Sequence, residues 1–600
     1  MKLAFCRQLL AVALTAFATV GAAFAEGITI TARTPDELQQ KLMEASRDKV
    51  KKVRITPGVI RGGATDRDHL LFLKGLQDME IDATGVSLVS TDPTRGGVFL
   101  RDCKRVTLRG LLYYNEIPPF TQGRVIGANL KDGTLEVEID KGYPAPDANS
   151  VGYLFDPDTR RWKPGVYDIY YNKVMKRSDR VYGIRVNGDM PAKLKTDLTP
   201  GRDLIAIRGT RGRMAITLDV CENCRLENVT IKSAGVFGVQ EAGGNGGNYF
   251  NYTLTYGPRP KGATVDPLIS SVADAFHSGG TRKGPTLEGC LLEGMCDDAI
   301  PIHSSYMLVM QADGRKLYYL ARQNVNPLKP GMRIRLFDPR ERFLCEAVVK
   351  STDKAESGFR LPHLPADKLV YYRLESDRDL PVIPAGSRLS TPDTAGSGFV
   401  VRNCVIRNHR ARGFLIKADD GLIENNLIEG STVAGLIATP QFGWNESCYS
   451  RNLTIRNNTF RSNSYSTGVT KPESYVLGAV NIKSDAPSKG PAGYGHQNIR
   501  ILGNVFENQD GTNLHIDNAQ DVLVEGNRFI RPQWNPSDRG RALGYHPEAL
   551  ISIDKVERVT FRNNRVESPG PYLKTLIEVG PDATDVTGVD DGVVVVRPTK

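Results

Sequence analysis

The chain has 600 residues, a formal net charge of +10 and 40% hydrophobic residues, enough for several structural units around a large core. Lysine and arginine alternate with aspartate and glutamate and form no basic block, so nothing in the composition supports nucleic-acid binding. Beyond the N-terminal segment, no apolar run is long enough to cross a bilayer, and membrane insertion is not expected.

Residues 1–25 have the pattern of a secretory signal peptide. Lys2 and Arg7 precede an apolar run that ends in Ala23-Phe24-Ala25, a small-residue cleavage pattern. We therefore expect a mature protein that begins at Glu26 and is periplasmic or secreted. The remaining cysteines are too few for a disulfide scaffold, and Cys221-x-x-Cys224 lacks the partners of a zinc site.

The most prominent feature of the sequence is an internal repeat. Each copy places apolar residues on both sides of a central Asn or Gly, as in FVVRNCVI (399–406), GLIENNLI (421–428) and VLVEGNRF (522–529). The central positions 403 and 425 are 22 residues apart, and 503 and 526 are 23 apart. Short periods with strand-forming residues and a turn-forming Asn indicate a solenoid.

A second column of the repeat has strand periodicity. The segments DDAIPIH (297–303), ARGFLIK (411–417) and VAGLIAT (433–439) follow their central residues at one offset and alternate apolar with other residues. Stacked period-2 alternation predicts an all-β protein, a right-handed parallel β-helix whose successive coils lie about 4.8 Å apart.

Two interruptions of the repeat predict inserted domains. Each holds strand and turn patterns of its own, which we interpret as a small β-barrel inserted at a coil turn. The predicted organisation is a signal peptide (1–25), N-terminal coils (26–115), a first barrel (116–210), coils that carry an acidic site (211–304), a second barrel (305–395) and C-terminal coils (396–600).

Acidic residues converge when the repeat columns are aligned. Asp297 and Asp298 open one strand, and Asp274 precedes Asp297 by one coil length. Alignment places Asp298 in the column of Arg412. It also places His303 in the column of Lys417 and His277 close by. Strand parity predicts that Asp297 and His303 point outward.

This combination suits the hydrolysis of a glycosidic bond. The reaction needs one protonated carboxylic acid and one ionised carboxylate, about 6.5–9.5 Å apart in inverting enzymes. Crowded like charges raise the pKa of one acid and keep it protonated near neutrality. Arg412 and Lys417 are predicted either to bind sugar hydroxyls or to fix a carboxylate.

The segments ADAFH (273–277), EGMCDDAIPIH (293–303), RARGFLIK (410–417) and the GLIENNLI coil resemble glycoside hydrolase family 110. The resemblance implies a parallel β-helix with two barrels and an inverting exo-α-galactosidase that removes terminal α-1,3-linked galactose. It assigns the family's active-site aspartates to Asp274, Asp297 and Asp298. Cys296 stands where the family usually has Gly, and Pro301 and Ser304 also depart from its pattern.

Further residues are predicted to bind the sugar. These are Trp444, as a platform for an apolar sugar face, and Glu446, with Glu241 as a weaker candidate. Together with the pairs described above, the predicted substrate-binding residues are His277, His303, Arg412, Lys417, Trp444 and Glu446. We expect a carbohydrate substrate, no cofactor and no bound metal. The oligomeric state is not predicted.

Three alternatives remain open from the sequence. The aspartates would hold Ca²⁺ in a calcium-dependent polysaccharide lyase, with Arg412 or Lys417 as the base. A polygalacturonase-like β-helix enzyme has a similar layout, although its Gly-His-Gly motif is absent. The third alternative is a non-catalytic carbohydrate-binding solenoid.

Overall fold

The computed structural model describes residues 27–63, 67–129, 131–166, 168–188, 198–322, 328–355, 369–465 and 477–596. The predicted signal peptide lies outside these residues. Within them, no helix is both long and apolar enough to cross a bilayer. The predicted all-β fold, a parallel β-helix with two inserted barrels, is confirmed.

The main sheet of the β-helix has 25 strands. In chain order they are Ile28–Ile30, Lys52–Ile55, His69–Lys74, Glu80–Asp82, Gly96–Arg101, Thr107–Arg109, Ile216–Asp219, Arg225–Glu227, Val239–Ala242, Asn248–Phe250, Phe276–Gly279, Thr286–Glu288, Ile300–Ser305, Val400–Arg402, Arg412–Ile416, Leu422–Glu424, Ala434–Ala438, Glu446–Ser447, Arg451–Arg456, Val480–Ile482, His496–Leu502, Leu514–Glu525, Ala549–Arg562, Thr575–Val579 and Thr584–Thr587.

A second sheet of 13 strands closes the coils on another side. Its strands are Gly58–Gly62, Val86–Ser90, Leu112–Asn115, Thr230–Ile231, Thr253–Leu254, Leu291–Glu293, Val405–His409, Leu427–Ser431, Thr459–Arg461, Val505–Glu507, Arg528–Ile530, Asn564–Glu567 and Val593–Val596. The α-helix Pro35–Arg47 packs its buried residues against the first coils, and Thr34 caps its N-terminus. Short 3₁₀ helices in the described part of the chain are Pro392–Thr394, Phe442–Trp444 and Arg541–Leu543.

Both insertions are closed six-stranded barrels. The first contains Phe120–Asn129, Thr134–Ile139, Ser150–Phe155, Ile169–Lys176, Val181–Val186 and Leu204–Arg208. The second contains Met307–Asp313, Lys316–Arg322, Arg333–Phe337, Phe343–Lys354, Leu369–Ser376 and Arg388–Ser390. Each barrel has its own apolar core, which is why a long insertion does not disturb the stacking of the coils.

The central Asn or Gly of each repeat has a defined backbone role. Asn403, Asn425, Gly503 and Gly526 all have φ between 56° and 67°, the left-handed region that Asn and Gly tolerate best. In the copies from Leu422 onward, the next residue is a buried Asn that belongs to a ladder. In all but the last copy its side chain donates to the Asn of the following coil and to a backbone carbonyl of the preceding coil, and in the last copy it donates to two backbone carbonyls. The ladder members are Asn426, Asn458, Asn504, Asn527 and Asn564.

The strand alternation also holds at the site. Ile300 and Ile302 are fully buried and pair in register with Phe414 and Ile416, which are buried too. This register places Asp298 opposite Arg412 and His303 opposite Lys417. The aligned columns of the sequence therefore correspond to true neighbours between coils.

Candidate active site

Three aspartates meet where two coils turn into the main sheet. One carboxylate oxygen of each of Asp274, Asp297 and Asp298 lies within 4.8 Å of the others. Asp274 lies next to the pair Asp297 and Asp298, as expected from one coil length. Because the register pairs Ser278 with Ile302, the residue of the pair that it stacks on is Asp298. The aspartates are adjacent because successive coils of a solenoid stack directly on one another.

Asp297 is half-buried and lies between two arginines. Its carboxylate accepts a hydrogen bond of 2.8 Å from Arg410 and lies 3.8 Å from a nitrogen of Arg208. Burial by itself would raise the pKa of Asp297, but the charges of Arg410 and Arg208 outweigh burial and hold this pKa below its ordinary value. Asp297 is therefore an ionised carboxylate at neutral pH.

Arg410 is held by the first barrel. Its buried guanidinium makes a forked contact with Asp168, with nitrogen–oxygen distances of 2.6 and 3.0 Å, while another nitrogen reaches Asp297. The ring of Tyr153 lies 5.7 Å from the guanidinium carbon. A fork of this kind fixes the orientation of arginine as well as its charge.

Asp298 is buried and bonded through both oxygens. The backbone N–H of Arg412 donates to one oxygen at 3.0 Å, and the guanidinium of Arg412 donates to the other at 2.6 Å. Burial raises the pKa of the Asp298 carboxyl, and the ion pair with Arg412 opposes that rise. With both oxygens occupied, this carboxylate is firmly positioned and is a poor nucleophile.

Asp274 is also buried, and its bonded partner is a histidine. Its Oδ2 lies 2.7 Å from Nδ1 of His277, whose ring stacks on Phe237 at 4.5 Å. Burial is the main cause that raises the pKa of Asp274 to about 7, with His277 opposing and Asp297 and Asp298 adding to the rise. A pKa near 7 allows Asp274 to hold a proton near neutrality.

The histidines continue this network. Nε2 of His303 lies 3.1 Å from Nε2 of His277, and Nδ1 of His303 lies 2.9 Å from the carbonyl oxygen of Ser304. Parity correctly directs His303 away from the coil interior, yet the residue is buried. Glu446 lies 3.8 Å from His303 and accepts a 2.7 Å hydrogen bond from Lys417.

Lys417 does not fit the predicted contact with sugar. Its side chain is completely buried, and its ammonium is bonded to Glu446. That contact also lowers the pKa of Glu446 to about 2, against the effect of burial. Lys417 thus fixes the carboxylate of Glu446, which is the second of the two roles predicted for it.

Two cavities are each lined by an arginine that contacts one of the aspartates. One, of about 190 Å³, is lined by Arg412, Thr439, Gln441 and Trp444. Trp444 is 73% exposed, as a sugar platform requires. Among the described residues, Nε of Arg412 has no hydrogen-bond partner.

The other cavity, of about 300 Å³, is lined by Arg208, Tyr170, Val236 and Val272. It lies on the Asp297 side, because Arg208 contacts that carboxylate. Each cavity is therefore linked to the aspartates through one arginine, Arg412 beside Asp298 and Arg208 beside Asp297.

Glu241 lies apart from this chemistry. It is buried between coils, where it accepts a hydrogen bond from the backbone N–H of Gly247 and lies 3.5 Å from the hydroxyl of Ser278. Burial raises the pKa of Glu241 to about 7. Its contacts are those of a packed structural acid.

The aspartates are close enough to be considered as ligands of a hard cation. Their oxygens, however, already face cationic or histidine partners: Arg410 at Asp297, Arg412 at Asp298 and His277 at Asp274. A divalent ion would have to displace these groups and would be repelled by both guanidinium charges. The donor set fits proton transfer better than calcium binding.

Four contributors were missed from the sequence. Arg410 lies two positions from the predicted Arg412, and Phe237 lies on a neighbouring coil that aligned with the repeat, so column alignment had the signal to find both. Asp168 and Arg208 belong to the first barrel and reach the site only through its docking. No periodic signal in the sequence points to them.

The chain is similar to several curated proteins that are named as α-1,3-galactosidases. Alpha-1,3-galactosidase B of Bacteroides thetaiotaomicron is 24% identical over 535 residues, which cover 85% of this chain and 81% of the relative. Alpha-1,3-galactosidase B of Phocaeicola vulgatus is 24% identical, and the aligned residues cover 78% of this chain and 85% of the relative. Alpha-1,3-galactosidase B of Akkermansia muciniphila is 28% identical over 307 residues, and the chain spans 35% of its length.

A sequence profile described as "Right handed beta helix region" matches residues 394–580. Among solved structures, the catalytic unit of a GH87 alpha-1,3-glucanase from Streptomyces thermodiastaticus is similar to this chain, with 12% sequence identity and a TM-score of 0.43. The matched region covers 93% of this chain and 66% of that structure. The curated relatives and the profile together confirm that this chain resembles the α-1,3-galactosidases of glycoside hydrolase family 110.

Proposed function

We propose that the protein is a glycoside hydrolase that removes terminal α-1,3-linked galactose with inversion at the anomeric carbon. The observation that carries the proposal is the meeting of three carboxyls within 4.8 Å, of which Asp274 has a pKa raised to about 7 and Asp297 a pKa held below its ordinary value. Inversion is what the resemblance to glycoside hydrolase family 110 implies and does not come from this distance, since carboxylate oxygens this close do not have the spacing of about 6.5–9.5 Å typical of inverting enzymes. The relatives are named as α-1,3-galactosidases, which supports the proposal that the bond cleaved is an α-1,3-galactosidic bond.

Each carboxyl has a distinct role in this proposal. Asp274, with a pKa of about 7, donates its proton to the glycosidic oxygen as the carbon–oxygen bond breaks. Asp297, ionised beside Arg410, takes a proton from a water that attacks the anomeric carbon from the opposite face. Asp298 and Arg412 hold the site in position through their ion pair.

The first barrel favours action at a chain end. It contributes Arg208 and Asp168 to the site. A barrel docked on this side of the aspartates would obstruct a polysaccharide that passes straight through, whereas a terminal sugar needs only one open side.

The test is a panel of α-galactosides with the first-released anomer followed by NMR. We expect β-galactose from α-1,3-linked substrates, and a loss of at least about 100-fold in kcat for Asp297→Asn. Asp266→Asn, at an exposed carboxylate paired with Arg259, is the matched control and should retain full activity.

Other outcomes would identify the alternatives. Release of α-galactose would indicate retention, the outcome usual for carboxyls about 5–5.5 Å apart. An unsaturated uronate product that disappears with a chelator would indicate the lyase, and saturable binding without turnover would indicate a carbohydrate-binding module. Full activity of Asp297→Asn would remove Asp297 from the reaction.

We also propose that the protein is exported. The support is the charged and apolar pattern of residues 1–25. N-terminal sequencing of protein recovered from the periplasm or medium should begin at Glu26. Recovery of the intact N-terminus from the cytoplasm alone would contradict export.

A further inference from the structure

The contacts of His303 determine where protons can lie in the histidine pair. Nδ1 of His303 lies 2.9 Å from the carbonyl oxygen of Ser304, which can only accept, so Nδ1 carries a hydrogen. Burial lowers the pKa of His303 to about 4, so the ring is neutral at ordinary pH. Nε2 of His303 is therefore a bare nitrogen that accepts a hydrogen bond.

That acceptor fixes the partner ring. Nε2 of His277 lies 3.1 Å from Nε2 of His303 and must carry the hydrogen between them. If it did not, two lone pairs would face each other in a buried contact. Glu446 is too far from His303, at 3.8 Å, to compete for a hydrogen bond.

The constraint extends to the proposed acid. Nδ1 of His277 lies 2.7 Å from Oδ2 of Asp274. With Nε2 of His277 already protonated, a hydrogen bond can form at this contact in only two ways. Either a protonated Asp274 donates to an unprotonated Nδ1 of His277, or a doubly protonated His277 donates from Nδ1 to an ionised Asp274. Both arrangements hold one more proton than a carboxylate beside a neutral histidine.

We propose that His303 is a positioning residue that keeps one proton in the contact between Asp274 and His277. The catalytic part of this inference rests on the proposed function, whereas the proton positions do not. The charged groups that face the pair are Asp297 and Asp298 beside Asp274, and Glu446 and Lys417 beside His303. Phe237 covers the face of His277 and offers no proton acceptor.

The first test observes the protons directly. In protein labelled with ¹⁵N only at histidine, Nε2 of His303 should give an unprotonated-nitrogen signal and Nε2 of His277 a protonated one from pH 5 to 8. Signals are assigned by their loss in single variants. An unprotonated Nε2 of His277 in this range would overturn the proposal, whether or not the protein has glycosidase activity.

The second test measures kcat/KM against pH. His303→Phe removes the acceptor and allows His277 to donate to an ionised Asp274, which lowers the pKa of the proposed acid. The basic limb of the kcat/KM profile should therefore move down by about one pH unit, which is roughly a tenfold loss of kcat/KM at high pH. His303→Gln keeps an accepting oxygen and should restore the limb. His496→Gln, at another fully buried histidine, is the matched control and should not shift the limb.

The outcomes separate the two proposals. Predicted nitrogen signals in a protein without glycosidase activity would contradict the proposed function and leave the proton positions established. The positioning role would be rejected if the basic limb of the kcat/KM profile lay at the same pH in His303→Phe, His303→Gln and the parent protein. Melting temperatures of all variants, measured at pH 6, show whether a loss arises from unfolding.

Discussion

At the scale of single residues, Arg410 determines the charge state of the site. It is buried, forks onto Asp168 and reaches Asp297 with its remaining nitrogen. Because Arg410 and Arg208 outweigh the burial that would raise the pKa of Asp297, the proposed base stays ionised in a desolvated place. An arginine without the fork would have more freedom to turn away.

Arg410→Met should move the acidic limb of the kcat/KM profile upward. Asp297 must be ionised to act, so activity falls as the pH drops through its pKa. Removal of Arg410 raises that pKa, and activity is then lost at a higher pH. The measurement is kcat/KM between pH 3 and 8.

Arg407→Met is the control for this variant. Arg407 belongs to the same stretch of chain but pairs with Glu293, at 2.7 Å, and not with Asp297. Its removal should leave the acidic limb where it is. An unmoved limb in Arg410→Met would mean that Arg410 does not set the charge of Asp297.

At the scale of the repeating element, the asparagine ladder joins one coil to the next. Asn504 is fully buried, accepts hydrogen bonds from the side chain and backbone N–H of Asn458, and donates to Asn527 and the carbonyl of Ile455. Each member makes hydrogen bonds with backbone groups at a turn, where no neighbouring strand is available to pair with them. The ladder thus joins successive coils at the turns, as backbone hydrogen bonds join them along the strands.

Asn504→Ala should lower the free energy of unfolding by about 1–3 kcal/mol, since it leaves buried donors and an acceptor unpaired. Asn535→Ala is the comparison, because Asn535 is exposed and bonds only to Asp510 in a loop. It should cost less than about 0.5 kcal/mol. Urea unfolding of both variants gives the difference, and equal losses would contradict a stabilising ladder.

At the scale of the whole molecule, each barrel is docked on the β-helix by a buried arginine–aspartate pair. The first barrel supplies Asp168 to Arg410 of the helix. The second supplies Arg335 to Asp419 of the helix, at 2.5 Å, with the charges reversed. Only the first of these pairs touches the proposed site.

Arg335→Met should therefore destabilise the protein without altering its pH profile. Removing one partner leaves a buried, uncompensated Asp419, which costs about 3–5 kcal/mol. Arg410→Met should show a similar loss of stability together with the shifted acidic limb. Melting temperature and kcat/KM against pH, measured on both variants, distinguish a structural pair from one that also serves the site.

A shifted acidic limb in Arg335→Met would contradict this division. It would show that docking of the second barrel also sets the charge of Asp297. The double variant Arg335→Met with Asp419→Leu removes both buried charges. It should recover part of the lost stability, as expected when an uncompensated charge is the cause.

The repeat allowed the coil architecture and the core of the site to be predicted. A solenoid converts a fixed spacing along the chain into contact between neighbours, so aligned columns placed Asp298 against Arg412 and brought Asp274 to the same bend. Coil lengths vary, so only the strand register shows that Asp274 faces Asp298 within this pair.

The sequence by itself determined which coils stack, because periodic apolar residues and the Asn or Gly at left-handed turns are local properties of the chain. Only the tertiary structure decided which side chains complete the site. Asp168 and Arg208 arrive with a docked barrel, and Lys417 is buried beneath Glu446 rather than open to sugar. Docking depends on surface shape and on charge pairs distant in the chain, and neither leaves a period in the sequence.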